Sequence, residues 1–175
     1  MRILAIDPGN TESGYALIDP TTCQPLSVGK INNYQLRNQI RNGDFGNLEN
    51  VSIEMIASYG MAVGKEVFET CVWIGRYLEL FTTICNVDLV YRADIKLHHC
   101  HTSKAKDSNI TQALIDRFAS GVRNRGKGTI DAPGWFYGFK ADIWAAYALA
   151  VLTADTLNAA DVTASAARDA REVAS

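Results

Sequence analysis

The sequence predicts an α/β fold, with a mixed central sheet flanked by helices. Two short apolar runs, residues 2–6 and 14–18, enclose a polar turn that contains Pro8, and this pattern predicts a hairpin-like pair of strands. Between residues 51 and 91, a predicted strand, a long helix and a second strand follow one another. That succession is typical of a crossover between parallel strands, so the sheet is expected to contain both orientations.

Apolar periodicity assigns the individual elements. Apolar residues at three- and four-residue spacing define the buried stripe of a helix over 65–85, namely Val67, Cys71, Ile74, Leu78 and Phe81. The other predicted elements are strands over 25–36, 51–56 and 87–91, turns over 38–50, a helix over 107–118, a mobile loop over 123–140 and a helix over 141–157. Residues 1–157 are therefore expected to form one domain. Residues 158–175 contain few large apolar side chains, and a poorly ordered C-terminal tail is expected there.

Composition limits the classes of function. Of the 175 residues, 47% are hydrophobic and 21% are charged, which is ordinary for a globular domain. No apolar stretch reaches the roughly 20 residues of a membrane span, and the first residues enter a strand without the pattern of a secretory signal. We therefore expect a cytoplasmic protein with no membrane partner.

The cysteines and histidines give no strong metal signal. The four cysteines do not form CxxC pairs, so they are interpreted as buried or idle thiols. Residues 98–101 read HHCH, but neighbours on an extended chain point to opposite faces, whereas a closed zinc site needs ligands that converge from separate elements. A polar loop is expected there in preference to a zinc site.

The charges are unevenly distributed along the chain. The net charge is −2, yet residues 91–128 contain eight Lys and Arg against three Asp, which gives a local charge of +5. Such a segment either contacts nucleic-acid phosphates or forms a solvated helix and loop face. The charge alone does not separate these two interpretations.

Three acids stand in strongly apolar surroundings. Asp7 ends the first predicted strand, Glu54 lies within the run VSIEMIA, and Asp142 opens the last predicted helix. Each has a structural explanation by itself, respectively a loop cap, an ion pair and a favourable helix N-terminus. Brought together, the three carboxylates would repel one another unless they shared a proton or a cation. Their oxygens suit Mg²⁺ or Mn²⁺, and two such ions about 4 Å apart hold the attacking and leaving oxygens of a phosphodiester.

The same residues carry a resemblance to a known family. The stretch ILAIDPGNTESGYALID resembles the opening motif of the RuvC-type Holliday-junction resolvases, a branch of the ribonuclease H-like nucleases. IEMIASYGMAVG, with the VWIGR helix after it, resembles the family's strand-borne glutamate and the helix that follows, and KADIWAAYALAV resembles its terminal helix. The three blocks have the family's order and spacing over most of residues 1–155. Within this family, the chain resembles the divergent resolvases that bacteriophages encode.

The resemblance implies a ribonuclease H-like fold and a metal-binding catalytic site. Asp7, Glu54 and Asp142 would be the catalytic carboxylates and would bind two Mg²⁺ ions, with Mn²⁺ as a substitute. The family often carries a second acid, or a histidine, one helical turn before the last acid, and this chain has Phe139 there. Asp131 is a candidate for a fourth carboxylate from the preceding loop, although its offset differs from the family's.

The resemblance also implies residues that contact DNA. The family has a lysine soon after the strand that follows the long helix and another near the start of the next helix. Lys96 and Lys106 match these places, with Lys104 a competitor for the second. An aromatic wedge would follow the glutamate, where Tyr59 is either that wedge or a loop tyrosine without a role. With the basic loop, the candidate DNA-binding residues are Lys96, Lys104, Lys106, Lys140, Arg123, Arg125, Lys127 and Tyr59.

By resemblance, the chain is expected to be an Mg²⁺-dependent endonuclease that resolves four-way junctions by paired symmetric nicks. Because such a junction has near twofold symmetry, a homodimer is implied, with the helix over 65–85 as its interface. The alternative is that this helix packs entirely within its own domain. One alternative is a broader nuclease acting on forks, flaps and three-way junctions. Others are an actin-like ATPase or kinase, which needs a second related domain, and a junction-binding protein without catalysis.

Overall fold

The computed structural model describes residues 2–58, 60 and 62–173, with side chains described as far as residue 166. The strands are β1 (Ile3–Asp7), β2 (Glu12–Ile18), β3 (Pro25–Asn32), β4 (Asn50–Met55) and β5 (Asn86–Tyr91). The helices are α1 (Asn33–Asn42), α2 (Lys65–Phe81), α3 (Arg92–Cys100), α4 (Asp107–Phe118) and α5 (Ala141–Val173), with a 3-10 turn at Arg123–Gly126. The five strands form one sheet in the order β3-β2-β1-β4-β5.

The sheet contains both strand orientations, and the predicted α/β class is confirmed. β2 pairs antiparallel with β1 and with β3, whereas β4 pairs parallel with β1 and with β5. The helix α2 forms the crossover between the parallel strands β4 and β5. β1 is the central strand, and residues 3–6 have no exposed surface. A continuous apolar run is what a strand covered on both faces requires.

Alternation along the strands sends side chains into two separate cores. One core lies between the sheet and α5 and includes Ile3 and Ala5 of β1. The other lies between the sheet and the α1–α2 layer and includes Leu4 and Ile6. Residues 146–151 of α5 are buried on every side, and three of these six are alanines, which let the helix backbone approach the sheet closely. α5 is therefore the main covering of one sheet face.

The helix α1 differs from the sequence prediction. The strand predicted over 25–36 ends at Asn32, whose side-chain oxygen accepts the backbone N–H of Tyr34 at 2.9 Å and caps a helix. Leu36 and Ile40 bury one face of that helix, and Gly43 ends it with a φ of 72°. The predicted strand beyond Asn32 and the predicted turns over residues 38–42 are therefore wrong, whereas the turns predicted after them are found over residues 43–49. Of its three large apolar or aromatic residues only Leu36 and Ile40 are buried, which is too few to predict a helix from sequence periodicity.

The HHCH stretch is not a polar loop, and that prediction is wrong. His98 and His99 lie in the last turn of α3, and His101 ends the helix in the left-handed conformation with a φ of 57°. Tertiary contacts stabilise this helix. The Nε2 atom of His98 lies 2.8 Å from an oxygen of Asp155, and Nε2 of His99 lies 2.8 Å from the carbonyl oxygen of Ala148. The histidines thus dock α3 onto α5.

The helix α5 is longer than predicted. The stretch of α5 over residues 141–166 is long and apolar enough to cross a membrane, with a mean hydropathy of 1.2, but half of it is buried inside the fold. This is what the core helix of a soluble domain looks like. The side chains of residues 158–166 are exposed, and the helix continues to Val173. The poor order predicted for residues 158–175 is a separate matter from their conformation, so it stays a prediction.

His99 gives a prediction for the pH dependence of stability. Burial lowers the pKa of His99 from 6.5 to about 4, because the interior favours the neutral ring. The unfolded chain therefore takes up a proton where the folded protein does not, so the free energy of unfolding falls as the pH drops from about 6.5 to about 4. Over this pH range, we expect the free energy of unfolding of His99→Gln to fall by up to about 3 kcal/mol less than that of the wild type. Urea unfolding at pH 7, 5.5 and 4 measures the difference, and parallel losses in both proteins would contradict it.

Candidate active site

A row of side chains crosses the α5 face of the sheet at the end of β1. In the strand register, Lys30 of β3 lies opposite Gly14 of β2, and Gly14 lies opposite Asp7 of β1. The parallel register of β1 and β4 makes Glu54 the neighbour of Asp7 on the other side. The carboxyl ends of the parallel strands meet at this edge, which is where open α/β sheets place their ligands.

Gly14 allows the start of α5 to approach this row. A Cβ atom at position 14 would lie 2.6 Å from the carbonyl oxygen of Asp142 and 3.0 Å from its Cβ. Any side chain there would push the first turn of α5 away from β2. The close approach brings Asp142, the second residue of α5, beside Asp7, although 135 positions separate them in sequence.

The acids line a cleft of about 400 Å³. The starts of α3 and α4 form its other wall, where they contribute Arg92 and Asp107. Asp107 is the first residue of α4, and its side chain is 72% exposed. The cleft therefore contains four carboxylates, which come from β1, β4, α4 and α5.

Two cations hold these acids in the described structure. The Nζ atom of Lys30 lies 2.6 Å from an oxygen of Asp142. The guanidinium of Arg92 bridges two acids, with one nitrogen 3.2 Å from Glu54 and the other 2.8 Å from Asp107. Asp7 has no ion-pair partner among the described residues. With all six groups ionised, four acids and two cations leave a formal charge of −2 in the cleft.

The pKa of Asp7 is far above its ordinary value. Burial is the largest cause, the charges of Glu54 and Asp142 add to it, and together they raise the pKa of Asp7 from 3.8 to about 8. Burial also raises the pKa of Glu54, against the opposing charge of Arg92. A proton on Asp7 relieves the repulsion at neutral pH, and a divalent cation that bound there would relieve it in the same way and release that proton.

The donor chemistry of the cleft fits a divalent metal ion. All four acids offer the hard oxygen ligands that Mg²⁺ and Mn²⁺ prefer. Within the described part of the chain, which includes the HHCH stretch, no group of three His, Cys, Asp or Glu side chains is arranged to hold an ion. Three of the four acids are paired with cations instead, Asp142 with Lys30 and both Glu54 and Asp107 with Arg92. A metal ion in the cleft would compete with these two cations for the carboxylates.

The predicted DNA-contacting residues lie at different places around the cleft. Lys96 of α3 is near enough to Glu54 for its positive charge to lower the pKa of that acid. Lys106 directly precedes α4, and Lys140 directly precedes α5 in a groove that it shares with Asp142. The remaining described candidates are exposed or half-buried and lie outside the cleft lining: Lys104, Arg123, Arg125 and Lys127.

Position 139 belongs to the core and not to the cleft. The ring of Phe139 is 2% exposed and packs edge-on against Phe136, Trp144 and Tyr147. Asp131 is exposed in the preceding loop and does not line the cleft. Tyr59 lies outside the described residues. The fourth carboxylate of the cleft comes from α4, as Asp107.

Of the comparisons with known proteins, the one with solved structures finds matches. No family model and no curated protein sequence matches the chain. RuvC from Thermus thermophilus superposes with a TM-score of 0.62 over 86% of this chain and 92% of its own, at 14% sequence identity. T. thermophilus RuvC in complex with a Holliday junction substrate also gives 0.62, over 86% and 90% of the two chains, at 13% identity. The chain has the RuvC-like fold.

The RuvC-like fold confirms the predicted ribonuclease H-like class and its mixed sheet with flanking helices. The superposition establishes the fold, and a sequence identity of 13–14% does not establish the activity. A ROK hexokinase from the same organism matches with a TM-score of 0.36 over 61% of this chain and 40% of its own, which is too weak to support an argument.

Sequence reasoning missed three residues of the cleft in this RuvC-like fold. Asp107 stands at the start of a helix, where an acid is favourable by itself, so its position gave no separate signal. Arg92 directly follows β5, and a cation at the carboxyl end of the strand beside Glu54 was a usable signal. Lys30 gave no signal, because it reaches the cleft only through the register of three strands.

The Gly14 contact gives a prediction for both stability and metal binding. In Gly14→Ala the added methyl group meets the backbone of Asp142, so we expect a destabilisation of about 1–3 kcal/mol and a displaced α5 N-terminus. The rise in melting temperature on adding Mn²⁺ should shrink in the same variant. Gly75→Ala in α2, away from the cleft, is the matched control, since within one chain a Cβ there meets open space, and it should leave the Mn²⁺ response at the wild-type level. Wild-type unfolding and a full Mn²⁺ response in Gly14→Ala would overturn this account.

Proposed function

We propose that the chain is a metal-dependent endonuclease that cuts branched DNA, with the four-way junction as its main substrate. The observation that carries the proposal is the convergence of Asp7, Glu54 and Asp142 on one cleft of a RuvC-like fold, from two strands and a helix far apart in sequence. One of the matching RuvC structures contains a Holliday junction substrate, which supports branched DNA as the substrate class.

The acids of the cleft are assigned to two Mg²⁺ ions, for which Mn²⁺ would substitute. Bound there, divalent ions would supply an activated water and positive charge at the leaving 3′ oxygen of the phosphodiester. Asp7, in the middle of the row, would be a ligand of the metal ions, and Glu54 and Asp142 on either side of it would each help to hold one ion. Asp107 would take the role of the acid absent at position 139.

Arg92 and Lys30 would then change partners. When the carboxylates turn toward metal ions, the guanidinium of Arg92 and the ammonium of Lys30 lose their acids and are left facing the cleft. Both groups suit phosphate oxygens, and Arg92 also offers the fork that pairs with two of them at once. They would neutralise charge that develops on the phosphate during hydrolysis, with Lys96, Lys106 and Lys140 as further phosphate contacts.

Paired nicks need two cleavage sites related by a twofold axis, so the proposal includes a homodimer. The helix α2 is the proposed interface, because Phe68 and Val72 are 61% and 53% exposed on its surface. The products would carry 5′-phosphate and 3′-hydroxyl ends. A cytoplasmic location and a bacteriophage origin complete the proposal.

Cleavage of end-labelled DNA tests the proposed function. The wild type should place paired symmetric nicks in a mobile four-way junction with Mg²⁺ or Mn²⁺, and none in the presence of a chelator. Asp7→Asn should lower the cleavage rate by at least about 10³-fold, because it removes the central carboxylate, and it also controls for a contaminating nuclease. Nicks that extend to forks, flaps and three-way junctions would indicate the broader branched-DNA nuclease. Binding of junctions without cleavage in either metal would refute catalysis.

Asp107 gives a separate prediction that does not rely on activity. Asp107→Asn should weaken Mn²⁺ binding about tenfold by calorimetry, because it replaces a charged carboxylate of the cleft by a neutral amide, whose oxygen is a weaker ligand. Asp131→Asn is the matched control, since it removes an exposed acid that does not line the cleft, and it should bind Mn²⁺ like the wild type. If Asp131→Asn weakens binding while Asp107→Asn does not, the fourth carboxylate is Asp131.

A further inference from the structure

A second basic site lies away from the cleavage cleft, in the groove between α1 and α2. We call it the arginine groove, and it is defined by Arg37 and Arg41 of α1, Arg76 of α2, Glu79 and Tyr34. The groove encloses about 530 Å³ and belongs to the helical layer on the sheet face opposite α5. None of its arginines appeared among the predicted DNA-binding residues.

The charges of the arginine groove are not balanced by the fold. Three arginines face one acid, Glu79, and no ion pair of the described residues includes Arg37, Arg41 or Arg76. Arg37 and Arg41 are four residues apart on one helix, where like charges destabilise by a few tenths of a kcal/mol. This repulsion between the two arginines raises the free energy of the isolated chain. Because a bound anion would relieve it, the arrangement favours an anionic ligand.

Aromatic side chains hold part of this groove in place. The guanidinium of Arg76 lies over the ring of Trp73, 4.6 Å from its centre, and the edge of Trp73 meets the ring of Tyr34 at 4.9 Å. Trp73 is buried, whereas Tyr34 is 59% exposed at the mouth of the groove. Arg76 is therefore pre-oriented, and a fixed guanidinium loses less conformational entropy on binding a phosphate than a free one.

The groove is continuous with the edge of the sheet that carries the active site. A neighbouring depression shares Tyr34 and Arg76 with it and reaches Asn10, three residues after Asp7. The acid in that depression, Glu69, is already bonded to Lys65 at 3.3 Å and to the Asn10 amide at 3.3 Å. A DNA backbone that ran from the cleft along this surface would therefore meet few unpaired negative charges.

The spacing of the arginines suits a nucleic-acid backbone. From Arg37 to Arg41 the helix rises about 6 Å, close to the axial distance covered by two nucleotides of one strand, each of about 3.4 Å. We propose that the arginine groove binds the phosphate backbone of one duplex arm of the DNA substrate, outside the cleavage cleft. The proposal rests on the proposed nuclease function and adds to it a positioning site for the substrate arm.

The test measures how DNA binding depends on salt. In an Asp7→Asn background, which holds the DNA uncut, fluorescence anisotropy gives the affinity for a four-way junction with long arms between 50 and 300 mM salt. Replacing Arg37, Arg41 and Arg76 together by Gln should lower the slope of log K against log salt by about two to three, since each phosphate contact contributes about 0.9. The affinity near 50 mM salt should fall by tens of fold. A junction whose arms are too short to reach the groove should show no change.

Glu79→Gln is the matched variant of opposite sign. It removes the one acid of the groove and should tighten binding of the long-armed junction several-fold, with the short-armed junction unaffected. Circular dichroism and melting temperature are the control that the arginine replacements leave the protein folded. Unchanged salt slopes in the arginine variant would overturn the proposal.

Three outcomes separate this proposal from the nuclease proposal. If the wild type cleaves junctions and the arginine variant keeps the wild-type salt slope, the groove proposal alone fails. If the arginine variant changes its sedimentation from dimer to monomer with an unchanged slope, the groove is part of a subunit contact and the proposal is overturned. A wild type that neither binds nor cleaves DNA refutes both proposals together.

Discussion

Electrostatic repulsion among Asp7, Glu54 and Asp142 is the constraint on which the rest of this structure depends. Three carboxylates at one sheet edge raise the free energy of the folded chain unless protons or cations compensate for them. The chain uses both means, since Asp7 has a pKa of about 8 and Lys30 and Arg92 pair with the other acids. A protein that needed only stability would place apolar side chains at these positions, as it does elsewhere along the same strands.

The helix α5 turns this local arrangement into a property of the whole domain. Its first turn meets the sheet at Gly14, and its middle fills the core. Tyr147 receives a hydrogen bond from the Trp135 indole at 2.8 Å and donates one to the carbonyl of Cys23 at 2.9 Å. Farther along, Asp155 binds Arg117 of α4 and His98 of α3. The position of Asp142 is thus fixed by contacts along about four turns of α5.

The sequence contained enough information for the class of the fold and for three acids of the cleft. Asp7, Glu54 and Asp142 were visible because each interrupts an apolar segment, and the apolar segments themselves predicted β1, β4 and α5. The helix α1 was not visible, since its few apolar residues acquire a pattern only against α2. Lys30 and Asp107 were missed for a related reason: strand register and the packing of α4 bring them to the cleft, and neither depends on local sequence. Phe139 was recognised as a departure, but its reason, a ring in an aromatic cluster, required the packed core.

The two ion pairs in the cleft have a thermodynamic consequence. Lys30 and Arg92 act as counter-ions built into the chain, so a divalent ion would have to displace them from the carboxylates, and this would lower its intrinsic affinity. A phosphate that attracted the same two cations would remove that competition. Metal and phosphate would then bind with positive linkage, and by reciprocity each would raise the affinity of the other by the same factor. The cleft would then hold its metal ions weakly until the substrate arrives, and their occupancy would be set by the substrate as much as by the surrounding ion concentration.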